Sequence, residues 1–408
     1  MRKLWSVLLV AAMLFTLGVL AVQAEKWDWD DEEEAPSIVE TLKTPAPYAD
    51  PNAPTPSPAP SPSPAPTSAP QLQADGSQVI TITAVGDVTI GRNVAYSGQS
   101  IFEKELKKQT GDINFIFRNV KEIFESDDLT IANFEGVLAE TYTIPSSKKN
   151  NEYLFLGDPS YAQALSNNSV EAVTMENNHI NDFGQGGINA TIEAMESVGV
   201  VWANKNHMGV YETQGVKIGM LAYQIVPPLR DDELSAAALQ AVVEKDVKAA
   251  KETCDLVIVS FHWGKELDYA PRNDKPYCQV TLGRAAIDAG ADLVLGHHSH
   301  RINPIECYKG RYIVYSLANC SFAGNNKPSD MFTFIFQVRF RIKNGEIIAN
   351  PFRIIPCRIS SRTDYNDFAI TPLTNQSNIK TVVDMMTNRT NIKNLEYAVT
   401  SLPLEWEN

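Results

Sequence analysis

Five of the six histidines in this 408-residue chain fall in short motifs that directly follow apolar, strand-like runs. The densest motif is Gly296-His297-His298-Ser299-His300, which follows Ala291-Asp292-Leu293-Val294-Leu295. Neutral imidazole is a preferred ligand for zinc and other first-row ions, whereas carboxylate and amide oxygens suit harder ions such as Mn²⁺. His298 and His300 are one residue apart, so an extended segment projects both to one side, with His297 pointing away as a structural residue. His179 follows Glu176-Asn177-Asn178, and His262 opens His262-Trp263-Gly264 after an aliphatic run. Asp87 lies in Gly86-Asp87-Val88, and Glu135 in Asn133-Phe134-Glu135-Gly136. Asp87, Glu135, Asn178, His262, His298 and His300 make a mixed oxygen and nitrogen set. Such a set suits one or two divalent ions, manganese, zinc or iron, that grip phosphate and activate water. His207, in Asn204-Lys205-Asn206-His207, stands apart and reads as a satisfied polar residue.

A ligand set of this kind works only if separate segments deliver it to one point. Open α/β sheets do so, because loops at the carboxyl ends of strands converge on one crevice. Apolar and β-branched runs predict strands at 79–85, 129–132, 170–175, 217–223, 255–261, 292–295 and 312–315, and each motif begins where a strand ends. Helices are predicted near 117–125, 188–198, 236–253 and 277–289. Near the end, 331–342 and 347–355 flank Lys343-Asn344-Gly345-Glu346, and Asn-Gly is a strong hairpin signal. One sizeable α/β domain over 77–363, closed by C-terminal β-hairpins, is the expectation, with 364–408 an extension of no assigned role.

Arg2 and Lys3 precede an uncharged stretch, 4–24, that ends in the small-residue pattern Val22-Gln23-Ala24. Residues 1–24 therefore predict export, as a cleaved signal peptide or a retained membrane anchor with its positive end inside. Residues 25–76 join an acidic run around Trp29 to a Pro/Ala/Ser-rich tract with no means of building a core. Such a tract favours polyproline II and, at ~3.1 Å per residue, reaches roughly 80 Å. A net charge of −14 argues against nucleic acid as a partner, since a phosphate backbone requires a basic face. The five cysteines form no CxxC pair and read as small buried hydrophobes.

The motifs, together with Asn177-Asn178-His179-Ile180-Asn181-Asp182-Phe183-Gly184, Phe261-His262-Trp263-Gly264-Lys265-Glu266 and Tyr315-Ser316-Leu317-Ala318-Asn319, occur in the order seen in the CapA family, also called PgsA. This is a family of poly-γ-glutamate capsule synthesis proteins, and the resemblance spans about residues 79–321 and beyond. CapA-like proteins in turn resemble calcineurin-like metallophosphoesterases. The resemblance implies a four-layer α/β/β/α metallophosphoesterase-like sandwich and an extracytoplasmic place in a bacterial cell envelope, secreted or membrane-anchored. It implies a role in making, anchoring or exporting an anionic γ-linked glutamate polymer, with membrane synthase subunits as partners. It also implies that His179 acts as general acid or phosphate contact, with Asp182 orienting it. Asn133, Trp263, Glu266 and Asn319 are expected to contact substrate, and Lys265, Arg272 and Arg301 could supply positive charge for a carboxylate-bearing one. Phosphoesterases carry Asp-x-His in the first motif, where this chain has Asp87-Val88-Thr89, and Asn133-Phe134-Glu135 replaces their Gly-Asp-x-x-Asp bridging carboxylate. Family members usually carry Gly where this chain has Ala318. Two further outcomes fit the same residues: a metal-dependent phosphoesterase or γ-glutamyl hydrolase unrelated to capsule, and a non-catalytic polymer-binding subunit of a synthase complex.

Overall fold

The computed structural model describes residues 71–95, 100–229, 234–387 and 398–406. The predicted export segment 1–24 and residues 25–70 of the predicted linker lie outside the described residues. Within them, no helix is long and apolar enough to cross a membrane.

Two large sheets carry the chain. The first runs, edge to edge, Thr371–Pro372, Phe352–Arg358, Phe332–Lys343, Gln78–Thr89, Leu129–Phe134, Ala172–Thr174, Val201–Ala203. Asn319–Phe322 joins it beside Gln78–Thr89, and Glu346–Ala349 beside Phe332–Lys343. The second runs Ile305–Tyr308, Arg311–Val314, Leu293–His297, Leu256–Trp263, Val216–Ile225, Gly209–Thr213. The central strands of each are parallel to one another.

The period of two along each strand decides the layering. From Leu256–Trp263, Leu256 and Ile258 face the space between the sheets, while Val257, Val259, Phe261 and Trp263 face outward. Ile218, Met220 and Ala222 alternate in the same way with Leu221, Tyr223 and Ile225. Ile80, Ile82 and Ala84 of the first sheet meet them across the inner core. Helix Ala236–Lys251 buries Leu239, Val243, Val247 and Ala250 at helical spacing, starts at a Ser235 cap and covers the outer face of the second sheet with helix Gln279–Ala289. Helices Ile101–Lys108 and Gly184–Ser197 contribute Phe102 and Met195 to the cluster on the outer face of the first sheet. The architecture is thus an α/β/β/α sandwich, as expected.

The Asn-Gly signal marks a real turn: Asn344 and Gly345 have φ of 53° and 79°, and Lys343 pairs with Glu346. The helix expected over 117–125 shortens to one turn, Lys121–Phe124, after a 3-10 turn at Ile113–Ile116. Phe115, Phe117 and Phe124 are all buried there. Residues beyond 363 pack on the same cores: Phe368 and Ile370 enter the outer cluster, Val382 and Met386 the inner one. The final segment bridges the sheets, with Val399 N–H donating to Ile305 O at 2.8 Å and Ile354 N–H to Pro403 O at 2.9 Å. All five cysteines are free thiols; Cys254, Cys320 and Cys357 are buried, and Cys278 and Cys307 are half-buried.

Candidate metal centre

Strand register places the motif residues side by side. Asp87 pairs with Asn133 on one neighbouring strand and with Asn319 on the other, while Asn133 pairs with Thr174. On the second sheet His262 pairs with His297. These rows form the carboxyl-end edges of parallel strands, and Thr174 and Ser260 hydroxyls join the two sheets at 3.1 Å. Two glycines permit the close approach. A Cβ on Gly86 would meet Ala318 O at 2.0 Å, and one on Gly296 would meet Tyr315 O at 2.1 Å. Ala318 itself has φ of 58°, so the chain keeps a left-handed turn without the usual glycine.

The side chains converge in two overlapping groups. In one, ligand atoms of Glu135, His262 and His298 lie within 4.8 Å of one another; in the other, those of Asp87, Glu135 and His300 do. Glu135 is common to both, so its carboxylate occupies the position of a shared ligand. His262 Nε2 lies 2.7 Å from Asn178 Oδ1 and 3.1 Å from His298 Nδ1, which adds the amide oxygen to the first group. His300 Nδ1 lies 3.2 Å from Asp87 Oδ2 and 2.8 Å from Asn319 Oδ1. Asn133 Nδ2 donates to Asp87 Oδ1 at 2.8 Å and is itself positioned through Asn177.

The donor set fits a cation. Both oxygens of Glu135 are buried with no hydrogen-bond partner, and a buried carboxylate in that condition costs several kcal/mol unless a cation or proton offsets it. Burial and the charge of Asp87 push the Glu135 carboxyl well above the usual carboxylate range. Burial opposes ionisation of Asp87 too, yet hydrogen bonds and charge from His297 and His300 hold it well below that range. His300 is pushed up to about 9 against the cost of burial by Glu135 and Asp87. Burial and the neighbouring His300 drop His298 to about 3, and burial with His298 lowers His262 strongly. Without a cation, then, these shifts favour a charged His300 beside ionised Asp87 and a neutral Glu135 carboxyl, with His262 and His298 in the neutral form that metal ligation requires.

His179 stands beside this group. Its Nδ1 lies 2.8 Å from Asp182 Oδ2 and its Nε2 3.9 Å from Glu135 Oε1, while its ring packs against Phe155. Asp182 is wholly buried and also accepts from Lys148 Nζ at 2.9 Å and Phe155 N–H at 3.0 Å. Lys148 and Phe155 lie outside every sequence motif, so sequence reasoning misses both. An open cleft of about 620 Å³ leads to the centre, lined by His179, Asn178, His298, His300, Asn319 and Glu266 among others.

Four sequence expectations change. Trp263 does not reach the cleft: it is fully buried, stacked on Phe261 and donating to Tyr315 O at 2.9 Å, because its strand parity points it to the outer core. His297 does not point away, since its Nδ1 lies 3.2 Å from Asp87 Oδ1. His298 and His300 do converge on the site, but not through an extended segment: their φ angles are 87° and 53°. Asn133, expected to contact substrate, does not line the cleft: it is buried beneath the centre, where it holds Asp87. Glu266 is exposed at the cleft mouth. His207 stacks on Trp202 at 3.9 Å, away from the site, and bonds to its carbonyl through Nδ1.

Residues 81–323 match the sequence family described as bacterial capsule synthesis protein PGA_cap. The PGA biosynthesis protein CapA of Bacillus subtilis (strain 168) is 29% identical over 308 residues, covering 72% of this chain and 75% of that protein. The capsule biosynthesis protein CapA of Bacillus anthracis is 29% identical over 263 residues, 60% of each chain. Among solved structures, a hypothetical protein from Thermus thermophilus aligns with a TM-score of 0.41 at 14% identity, covering 68% of this chain and 99% of the other.

Proposed function

Because the chain belongs to the bacterial capsule synthesis protein family, we propose that it takes part in making, anchoring or exporting poly-γ-glutamate outside the cytoplasm, through a divalent-metal centre of phosphoesterase type. The observation that carries the metal centre is Glu135, buried, unpartnered and common to two converging ligand groups. Asp87, Glu135, His300 and Asn319 would hold one side of that centre, and Glu135, His262, His298 and Asn178 the other. A divalent ion there supplies Lewis-acid polarisation of a substrate oxygen.

The protein's own groups do the rest. Asp182 fixes the His179 ring through Nδ1, and Lys148 and the Phe155 amide fix Asp182, which leaves Nε2 facing the centre. A histidine so held can give a proton to a leaving group, or donate a hydrogen bond to a bound phosphoryl or acyl oxygen. Asn133 holds Asp87 from below, and the buried edges of both sheets keep water to the cleft side. The envelope location follows the charge and apolarity pattern of 1–24 and the tract that follows.

The test is elemental mass spectrometry on the purified full-length chain beside a His298→Ala/His300→Ala variant shown to be folded by circular dichroism. Stoichiometric metal in the wild type and its loss in the variant is the expected outcome. Absence of metal from both, after incubation with Mn²⁺ and Zn²⁺, refutes the metal centre and leaves a polymer-binding subunit as the surviving reading.

A further inference from the structure

One arginine lines the cleft beside the histidines. Among the lysines and arginines of the described residues, only Arg301 contributes to its wall. The residue is 7% exposed. Its Nη1 donates to His300 O at 2.8 Å and its Nη2 to Ser329 Oγ at 3.0 Å, while Nε–H has no partner. The guanidinium lies over the Tyr269 ring at 5.6 Å. Its protein partners are thus a carbonyl, a hydroxyl and a ring, all neutral, and no carboxylate is paired with it among the described residues. A buried guanidinium without a counter-charge is costly, and a cleft-lining one can recover that cost from an anion in the cleft.

Two neighbouring walls point the same way. Asn178 and Asn319 turn their Oδ1 atoms toward His262 and His300, at 2.7 and 2.8 Å. Their amide N–H₂ ends have no acceptor among the described residues and are left for a ligand, since both residues line the cleft. Glu152 and Glu266 also line it, but both are exposed at its mouth, where solvent screens them. The interior is therefore a donor-lined pocket inside an acidic protein.

We propose that Arg301 is the specificity-determining residue of this cleft, holding a carboxylate of a chain-like substrate, with the Asn178 and Asn319 amides donating beside it. A carboxylate is the group that the polymer reading supplies; a phosphate can engage an arginine fork as well, and the titration below separates the two. With Nη1 and Nη2 each already engaged once, the guanidinium keeps further N–H donors in one plane, which suits pairing with carboxylate oxygens. This assignment rests on the capsule-polymer reading above and names the group on the polymer that the site recognises.

Isothermal titration of the purified full-length chain separates the outcomes, with tri-γ-glutamate, the same trimer bearing carboxamides in place of carboxylates, and inorganic phosphate as probes. Arg301→Gln should weaken tri-γ-glutamate binding roughly tenfold to a hundredfold, the worth of one charge-assisted pair. The carboxamide trimer should bind wild type and variant alike, and Arg301→Lys should recover part of the loss. Circular dichroism and metal content confirm that each variant keeps its fold and centre. Undiminished trimer binding by folded Arg301→Gln overturns this assignment alone. Loss of phosphate binding with trimer binding retained also overturns it and gives Arg301 to phosphate. No trimer binding by the metal-loaded wild type overturns both this assignment and the polymer reading beneath it.

Discussion

Glu135→Gln should act with opposite sign on the metal-free and metal-loaded protein. In the metal-free state the Glu135 carboxyl is buried, unpartnered and pressed by the charge of Asp87. An amide of the same shape cannot ionise, so it removes the penalised group, and relief of an unsatisfied buried ionisable group is worth about 1–3 kcal/mol. The variant should therefore melt higher than wild type in EDTA, by roughly 2 °C per kcal/mol in a domain of this size. In the metal-loaded state the order reverses. A ligand at a hundred times its dissociation constant stabilises the native state by about 2.7 kcal/mol, so Mn²⁺ or Zn²⁺ should raise the wild-type melting temperature by roughly 5 °C. The substituted amide lacks the charge common to both ligand groups, so the variant should show little or no shift. Differential scanning calorimetry in EDTA and in each metal, with bound metal measured on the same samples, gives both numbers. A variant that keeps the metal and the full thermal shift, or that melts lower than wild type in EDTA, would refute the reasoning.

Three further outcomes follow from other parts of the structure. Asp182→Asn keeps the shape but removes the charge that partners Lys148 and His179; a cost of about 3 kcal/mol in urea unfolding is expected for breaking a buried pair, with metal content unchanged. Burial, with the charges of Glu171 and Asp128, pushes Asp127 up to about 8 despite hydrogen bonds from Thr83 and Thr130. Its folded pKa lies above the unfolded value, so wild-type stability should fall as pH rises from about 4 to 8, and Asp127→Asn should remove that slope and be more stable at pH 8 by about 1–2 kcal/mol, below the full linkage because the residue is partly exposed. Trp406 lies against Arg339 at 3.8 Å and Arg353 at 4.9 Å, so Trp406→Ala should cost about 1–2 kcal/mol and speed hydrogen exchange at the Ile354 amide, which Pro403 protects.

The strands and the site are legible in the sequence to unequal depth. Runs such as Leu256 to Phe261 announce their strands because burial on both faces makes them continuously apolar. The motif histidines are legible because register carries each to a strand end, and Asp87, Glu135, Asn178, His262, His298 and His300 all meet. Local geometry is what sequence reasoning fails to reach. Two left-handed residues, His298 and His300, replace the extended path that the one-residue spacing suggests; positive φ is uncommon for any residue with a side chain, so histidine's enrichment there does not place the turn in advance. Trp263 misleads because an aromatic next to a ligand invites a contact role, whereas one step of strand parity sends it to the opposite face. Lys148 escapes notice because its role exists only in three dimensions: it crosses 34 positions of sequence to reach Asp182.

The overall charge and the proposed ligand pull in opposite directions, and the arrangement of the site reconciles them. A chain of net charge −14 repels a free polyanion at long range. At the bottom of the cleft the order of charge reverses: Arg301 lacks a carboxylate partner among the described residues, Asn178 and Asn319 present amide donors, and Glu135 and Asp87 stand ready to anchor a cation. Bulk repulsion is screened within about 8 Å at physiological salt, whereas the buried donors are screened far less. Binding of an acidic polymer should consequently strengthen when salt rises from very low values and then weaken as the Arg301 contact is screened. A monotonic loss of affinity from the lowest salt upward would mean that local attraction dominates throughout and that the acidic surface lies away from the polymer's path.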